Sequence, residues 1–338
     1  MLGQSSGIPD ENPRRYGERE DHVRQMRLLL WAGLCAFLPV SVAAAELSAT
    51  VLRLDYPQLA PISRLAAAPE DLGFAGANLA TEDNQTTGRF LGHTYETEAL
   101  AVAPEAAETA LRALIDEGQR VFVVLAKADD LLRLADMAGP EVLILNAGAR
   151  DTRLRDDQCR ANVLHVTPST AMRADAIAQF AIWKQWSRWM LVHGSNPADL
   201  ELAEAYRTAA AKFGANIVEE KEILDTGGAR RTDTGHVMVQ RQLPVLVQTR
   251  TNHDVVIAAD ASDVFAPYLS FHLWMPRPVM GSGGLEPVSF DPALEAWGAM
   301  QFQNRFEALT NRRIHEEDYD VWLALRVIGE AVTRTSSA

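Results

Sequence analysis

Short segments built almost wholly of apolar residues alternate along this chain with longer amphipathic segments. Typical apolar segments are VFVVL at 121–125 and VVIAA at 255–259. A strand without polar residues is buried on both faces of its sheet, which is the situation in parallel sheets covered by helices on each side. Strands are predicted at 50–56, 121–125, 142–145, 163–166, 189–193, 216–223 and 255–259.

The amphipathic segments predict helices with ordinary start and stop signals. Pro197 stands in the first turn of one such segment, and Gly214 follows its last residue. Helices are predicted at 71–84, 104–117, 128–138, 170–186, 198–213, 292–310 and 317–334. The alternation predicts an α/β fold with mostly parallel sheets and helices on both faces. A chain of 338 residues is long enough for two such units, each with its own core.

Residues 1–45 predict an export signal. Met26 and Arg27 precede the run LLLWAGLCAFLPVSVAAA, which is too short to span a bilayer comfortably and ends in small residues. Cleavage is expected before Glu46, with translation starting at Met1 or at Met26. The rival interpretation, an uncleaved anchor, is disfavoured by Pro39 and by the small residues at the end of the run. The mature chain is therefore expected to be exported and soluble.

Charge and missing motifs narrow the function. The chain has 45 acidic and 32 basic residues, a net charge of -13, which disfavours nucleic acid and anionic membranes as partners. The sequence has no phosphate-binding loop, no HExxH zinc motif, no nucleophile elbow and no Cys/His metal spacing. We therefore expect a protein that is not an enzyme and that has no metal and no cofactor.

Most candidate binding residues are those that stand directly after a predicted strand. Ligands of open parallel sheets bind outside the carboxyl ends of the strands, because helix N-termini and free backbone amides converge there. An irregular loop with an aromatic and a basic residue, 275–284 and its neighbours, is a second source of candidates. The candidates are Tyr56, Lys127, Asn146, Ala147, Gly148, Arg150, His193 and Asp260 after predicted strands, and Trp274 and Arg277 in the loop.

Several longer segments resemble a known protein class. GFAGANLATEDNQTTGRFLGHTYE (73–96) and KFGANIVEEKEI (212–223) resemble type I periplasmic substrate-binding proteins of ABC transporters, the Leu/Ile/Val-binding class. The runs DTGGARRTDTGHVMVQRQLPV, WMPRPVMGSGGL and DYDVWLALRVIGEAVTRT look like the subgroup associated with pyrroloquinoline quinone-dependent alcohol dehydrogenase systems. The resemblance spans Glu46 to Thr335.

The resemblance implies a two-lobed periplasmic protein. After the extension and signal peptide at 1–45, lobe 1 would hold residues 46–167, lobe 2 residues 168–290, and residues 291–338 would return to lobe 1. The lobes would close on a small-molecule solute, and the protein, a monomer, would deliver it to an inner-membrane ABC permease. Members of the class generally continue beyond the last helix, so a chain ending at Ala338 is expected to be a fragment or a shortened member.

The resemblance also implies ligand contacts in the turn from Asn146 to Arg150 and at Lys127. Two cations at the strand ends suit an anionic or aromatic solute, such as pyrroloquinoline quinone or an alcohol-oxidation product. Asp260 could hold an amine, so an amino acid stays open. Two alternatives also stay open: a periplasmic accessory protein or enzyme of a quinoprotein alcohol dehydrogenase system, and a ligand-sensing receptor lobe.

Overall fold

A computed structural model of the chain describes residues 44–57, 67–225 and 239–335. Nearly all of the predicted signal peptide therefore lies outside the described residues. Within those three ranges, no helix is both long enough and apolar enough to cross a membrane.

The first sheet contains five strands, all parallel. They are β1 (Glu46–Leu54), β2 (Thr94–Val102), β3 (Val121–Leu125), β4 (Leu143–Asn146) and β5 (Val163–His165). Their order across the sheet is β2-β1-β3-β4-β5. Strand β2 was not among the predicted strands, because its sequence TYETEALAV belongs to a sheet edge and leaves most side chains partly or fully in solvent.

The second sheet contains four parallel strands. They are β6 (Arg188–Gly194), β7 (Asn216–Ile223), β8 (Val255–Ala259) and β9 (Val279–Gly281), in the order β7-β6-β8-β9. Strand β9 lies in a segment predicted as a loop. It is only three residues long and is surrounded by Pro and Gly, which leaves too short an apolar run for the pattern to detect.

Nine α-helices are present in the described ranges, which exclude 1–43, 58–66, 226–238 and 336–338, together with two short 3-10 helices at Pro104–Ala106 and Thr152–Arg155. The α-helices are α1 (Phe74–Leu91), α2 (Ala107–Asp116), α3 (Ala128–Ala138), α4 (Thr170–Trp183), α5 (Pro197–Phe213), α6 (Val239–Leu246), α7 (Ala266–Leu269), α8 (Ala299–Thr310) and α9 (Glu316–Thr335).

Both faces of each sheet are covered. In the first sheet, Leu52 and Phe122 pack into one core, while the adjacent residues Val51 and Val123 pack into the core on the other face. The second sheet divides in the same way, with Leu191 on one side and Val192 on the other. The predicted α/β fold of parallel sheets flanked by helices is therefore confirmed. The lobe boundaries after residues 167 and 290 stay a prediction.

Helix α9 packs closely along α1. A Cβ atom at Gly76 of α1 would overlap the backbone carbonyl of Asp318 on α9. The Asp318 carboxylate in turn accepts a hydrogen bond from the backbone N–H of Gly73 at 2.8 Å and pairs with Arg312 at 2.7 Å. The acidic start of α9 suits the positive end of the helix dipole, and the structure adds these specific partners.

We expect Gly76→Ala to destabilise the protein by about 1–3 kcal/mol, the usual cost of adding a methyl group to a closely packed contact. Urea unfolding followed by circular dichroism measures it. Thr87→Ala, at an exposed position of the same helix, is the matched control and should change the free energy of unfolding by less than about 0.5 kcal/mol. Equal effects at both positions would contradict the packing described for α9 and α1.

Candidate functional site

A cavity of about 400 Å³ lies where the loops after β4, β8 and β9 meet the first turns of α4 and α5. This volume is within the range of small-molecule sites. The place agrees with the rule that ligands bind beyond the carboxyl ends of parallel strands. Its polar lining comes from Arg150, Asp151, Thr170, Arg173, Glu201, Tyr206, Ser282 and Glu286.

Two of these side chains, Arg150 and Arg173, share one carboxylate. Arg150 donates to Glu316 at 2.8 Å, and Arg173 donates to the other oxygen of the same carboxylate. The backbone N–H of Ser289 donates to it as well, at 2.7 Å. Burial alone would raise the pKa of Glu316, but the hydrogen bond from Arg173 and the charge of Arg150 outweigh it and hold this pKa below its ordinary value.

The backbone around Arg150 is fixed by the start of α4. Ser169 caps this helix by accepting from the N–H of Met172 at 3.2 Å. The N–H of Thr170 then donates to the carbonyl of Arg150 at 2.7 Å, and that of Ala171 to the hydroxyl of Thr152 at 3.3 Å. The loop after β4 is thus tied to the helix that carries Arg173.

Tyr206 and Glu286 also line the cavity, and burial changes the pKa of both. Burial raises the pKa of Tyr206 above its ordinary value, so its hydroxyl stays protonated and can donate a hydrogen bond. Partial burial also raises the pKa of Glu286, and the charge of nearby Arg173 offsets only part of the rise. The cavity can therefore contact an anion through its arginines and a hydrogen-bond acceptor through Tyr206.

The predicted turn from Asn146 to Arg150 contributes mainly Arg150 to this cavity. Asn146 is buried, and its side chain closes the turn by accepting from the N–H of Ala149 at 2.8 Å and donating to the carbonyl of Ala149 at 2.7 Å. Ala147 is buried in the core of the first sheet. At Gly148, a Cβ would approach the backbone N of Ala126 to 2.9 Å, so this residue has to be small.

Lys127 and Tyr56 lie beside a second, more open depression of about 430 Å³, which Lys127, Gly148 and Arg150 help to line. The ammonium of Lys127 lies 4.5 Å from the centre of the Tyr56 ring. The Tyr56 hydroxyl accepts from the N–H of Lys127 at 2.8 Å and donates to Asp130. The structure places both residues next to each other, outside the lining of the cavity that contains Arg173.

His193 and Asp260, two other predicted ligand contacts, are buried, and their polar atoms already lie against other protein groups. His193 lies 2.8 Å from the carbonyl of Gly194 and 3.1 Å from Glu220. The Asp260 carboxylate accepts from three backbone N–H groups at the start of α7, at 2.6–2.9 Å. Asp260 therefore caps a helix, and the structure does not place it where a ligand amine would bind.

Trp274 and Arg277 require a correction. Arg277 donates to the carbonyl of His253 at 2.7 Å, and His253 precedes β8. Both residues also precede β9, so they lie towards the amino ends of parallel strands, whereas the cavity lies at the carboxyl ends. The prediction treated their segment as one irregular loop after the strand at 255–259, because β9 was not foreseen.

Sequence reasoning missed Arg173, Tyr206, Glu286 and Glu316. Arg173 lies in the first turn of α4. It would have been found if the search had covered the first turn of the helix that follows each strand, as well as the residues directly after the strand. Glu316 lies far from the cavity residues in sequence and belongs to an acidic run that the helix dipole is enough to account for. Its role depends on how α9 packs, which no local pattern predicts.

A second carboxylate, Asp320, lies one turn after Glu316 on α9. It is fully buried, and its oxygens lie near the hydroxyls of Thr167 and Ser289. Burial raises its pKa to about 6, and the nearby hydroxyls of Thr167 and Ser289 oppose the rise only in part. Thr167 follows β5, and Ser289 follows β9. Asp320 therefore lies beside both chain segments that connect the two sheets.

No metal centre is found among the described residues, 44–57, 67–225 and 239–335: no three His, Cys, Asp or Glu side chains lie together as ligands. Polar groups that can hold a ligand line the cavity of about 400 Å³ beside α4 and α5.

Comparison with known proteins identifies a family and a fold. A family model described as "Periplasmic binding protein" matches residues 58–233. Among solved structures, a leucine-, isoleucine-, valine-, threonine- and alanine-binding protein from Brucella ovis has a TM-score of 0.65 and 15% identity, covering 86% of this chain and 78% of that one. No curated protein sequence matches the chain.

Two further structures align over most of their length. A substrate-binding protein of an ABC transporter from Desulfitobacterium hafniense, in complex with Leu, has a TM-score of 0.63 and 16% identity, with 86% and 84% of the two chains covered. A solute-binding protein from R. palustris, in complex with benzoate, has a TM-score of 0.58 and 14% identity, with 87% and 82% covered. At these identities the likeness concerns the fold.

We expect Glu316→Gln to lower the free energy of unfolding at pH 7 by about 3 kcal/mol, because it leaves two mostly buried guanidinium groups without their carboxylate. Glu330→Gln is the control on the same helix. It removes an exposed pair with Arg334 and should cost less than about 0.5 kcal/mol. Chemical denaturation of both variants tests this, and equal losses would show that Glu316 has no special role.

Asp320 should make the folded protein less stable as the pH rises, whereas a carboxylate with a lowered pKa makes it more stable. Because its folded pKa is raised from 3.8 to about 6, its contribution is fully present below pH 3.8 and is lost as the pH rises through 6. Relative to the unmodified protein, Asp320→Asn should therefore gain about 2.5 kcal/mol between pH 4 and pH 7. Urea unfolding at both pH values measures this, and a difference that does not change with pH would refute it.

Proposed function

The chain belongs to the periplasmic binding protein family, and from this premise we propose that it is the solute-binding component of an ABC importer that captures a small carboxylate. In this proposal residues 46–167 and 291–338 form one lobe and 168–290 the other, and the lobes close around the cavity. The protein works as a monomer in the periplasm after its signal peptide is removed, and it delivers the solute to an inner-membrane permease.

The observation that carries the proposal is the position of Arg150 and Arg173 on the cavity wall. They come from opposite sides of the first chain crossing, since Arg150 follows β4 and Arg173 lies on α4. A guanidinium has five N–H donors, so an arginine that contacts Glu316 keeps others to offer. A ligand carboxylate that accepts from both would connect the proposed lobes and favour closure.

The balance of charge favours a solute with a single carboxylate. Two arginines line the cavity, but so do three acids, Asp151, Glu201 and Glu286. A solute with several carboxylates, such as pyrroloquinoline quinone, would meet repulsion from these acids. An alcohol-oxidation product with one carboxylate suits the cavity better. The ligands named for two structural neighbours, leucine and benzoate, each carry one carboxylate as well, which supports this choice.

The resemblance of three segments to the subgroup of quinone-dependent alcohol dehydrogenase systems supports the same solute class. Such systems oxidise alcohols, and a carboxylic acid is the end product of that oxidation. We propose that the protein serves such a system as a binding protein, without catalysing a reaction itself. Conversion of any bound acid by the purified protein would argue against this and in favour of an accessory enzyme.

We expect Arg150→Ala and Arg173→Ala each to weaken carboxylate binding by about tenfold to a hundredfold, because each removes a charge-assisted hydrogen bond from a sheltered site. The measurement is isothermal titration of the purified mature protein with benzoate, leucine and butanoate. Native mass spectrometry of protein taken from its own periplasm identifies the natural ligand.

Arg160→Ala is the matched control for this experiment. Arg160 lies in the same charged loop as Arg150 but pairs with Asp136 at the surface, so its loss should leave the affinity within about twofold. Unchanged affinity in Arg150→Ala and Arg173→Ala would remove both residues from the site. Saturable binding of a neutral sugar, with no binding of any carboxylate, would contradict the proposed solute class.

A further inference from the structure

An apolar groove of about 260 Å³ adjoins the cavity along one side of α4. One wall is formed by Ala176, Ile177 and Phe180 of this helix, and the other by Met280 and Leu285 around the end of β9. Glu286 lines both the groove and the cavity, so the two spaces share a boundary.

Helix α4 and the end of β9 line both the cavity and the groove. Along α4, Arg173 lines the cavity, and Ala176 and Phe180, three and seven residues later, line the groove. Positions separated by three or four residues lie on the same helix face. On the other side, Gly281 lines the cavity and Met280 the groove. The groove therefore extends from the Arg173 end of the cavity along α4 towards Phe180.

The groove leaves apolar surface uncovered. Phe180 and Leu285 are 37% and 48% exposed, although both lie beside buried core residues. Ile177 and Met280, one from each wall, are almost fully buried, so the core of the second sheet fixes the position of both walls. Covering such a surface with an apolar group is favourable by about 25 cal/mol per Å².

The dimensions set the size of the occupant. Along the helix axis, Arg173 and Phe180 are seven residues apart, which corresponds to about 10 Å. With carbon–carbon bonds of about 1.5 Å, an extended chain of about eight carbons reaches this far. The volume of about 260 Å³ would hold roughly eight groups of the size of a water molecule, which occupies about 30 Å³ in the liquid.

We infer that the groove is a subsite for the apolar tail of the solute, and that the protein takes carboxylic acids with about six to eight carbons, their head at Arg150 and Arg173 and their tail along α4. This inference rests on the proposed function, because it needs a carboxylate head in the cavity. It adds to the proposed function a role for Ala176, Phe180 and Leu285, which would select solutes by the length of their carbon chain.

Isothermal titration of the purified protein with straight-chain acids from propanoate to octanoate tests the inference. Once the chain reaches the groove, affinity should increase about fourfold with each methylene, as expected for burial of about 0.8 kcal/mol per CH₂. In Ala176→Asp, which places a charge at an exposed position of the groove wall, the ratio of octanoate to butanoate affinity should fall to near one. Gln179→Asp, an equally exposed position on α4 outside the groove lining, should keep the ratio of the unmodified protein.

The outcomes separate the two proposals. If propanoate and butanoate bind but affinity does not rise with length, the groove is not a tail subsite, while the proposed function stands. The inference also fails if Ala176→Asp keeps the full gain, because the tail then lies elsewhere. If no acid binds at any length, the proposed function itself is wrong.

Discussion

The carboxylate of Glu316 connects three separate parts of the chain through hydrogen bonds and ion pairs. It accepts from Arg150 after β4, from Arg173 on α4 and from the backbone N–H of Ser289. One side chain from the last helix thus joins the end of the first sheet, the helix that leads into the second sheet and the segment that returns from it. Removing a partner from such a group costs more than the pair itself contributes, since the remaining charges stay in a poorly hydrated place.

The cavity depends on this arrangement. Glu316 fixes both guanidinium groups at the wall without using all of their donors, so they can present N–H groups to a second carboxylate. Asp320, one turn further along α9, lies beside the hydroxyls of Thr167 and Ser289 and has a raised pKa of about 6. The two carboxylates of one helix therefore respond to pH in opposite directions, because one has cationic partners and the other is simply buried.

The sequence predicted the buried central strands, such as β3 and β8, because a short uninterrupted apolar run is typical of a strand that is covered on both faces. It also predicted Arg150, since position after a strand is a local property. It could not predict β2, whose polar residues belong to a sheet edge, or the meeting of Arg173 with Glu316 across 143 positions. Trp274 and Arg277 were misplaced because one unseen short strand, β9, decides at which edge of the sheet their loop lies. Contacts of this kind depend on packing between distant elements, which has no periodic signal.

A crystal structure of the protein with bound benzoate or butanoate is the decisive test of carboxylate capture by the two arginines. We predict that the ligand carboxylate lies about 3 Å from guanidinium nitrogens of both Arg150 and Arg173, inside the cavity at the carboxyl ends of β4, β8 and β9. A carboxylate bound in the depression beside Lys127, with neither arginine in contact, would contradict it.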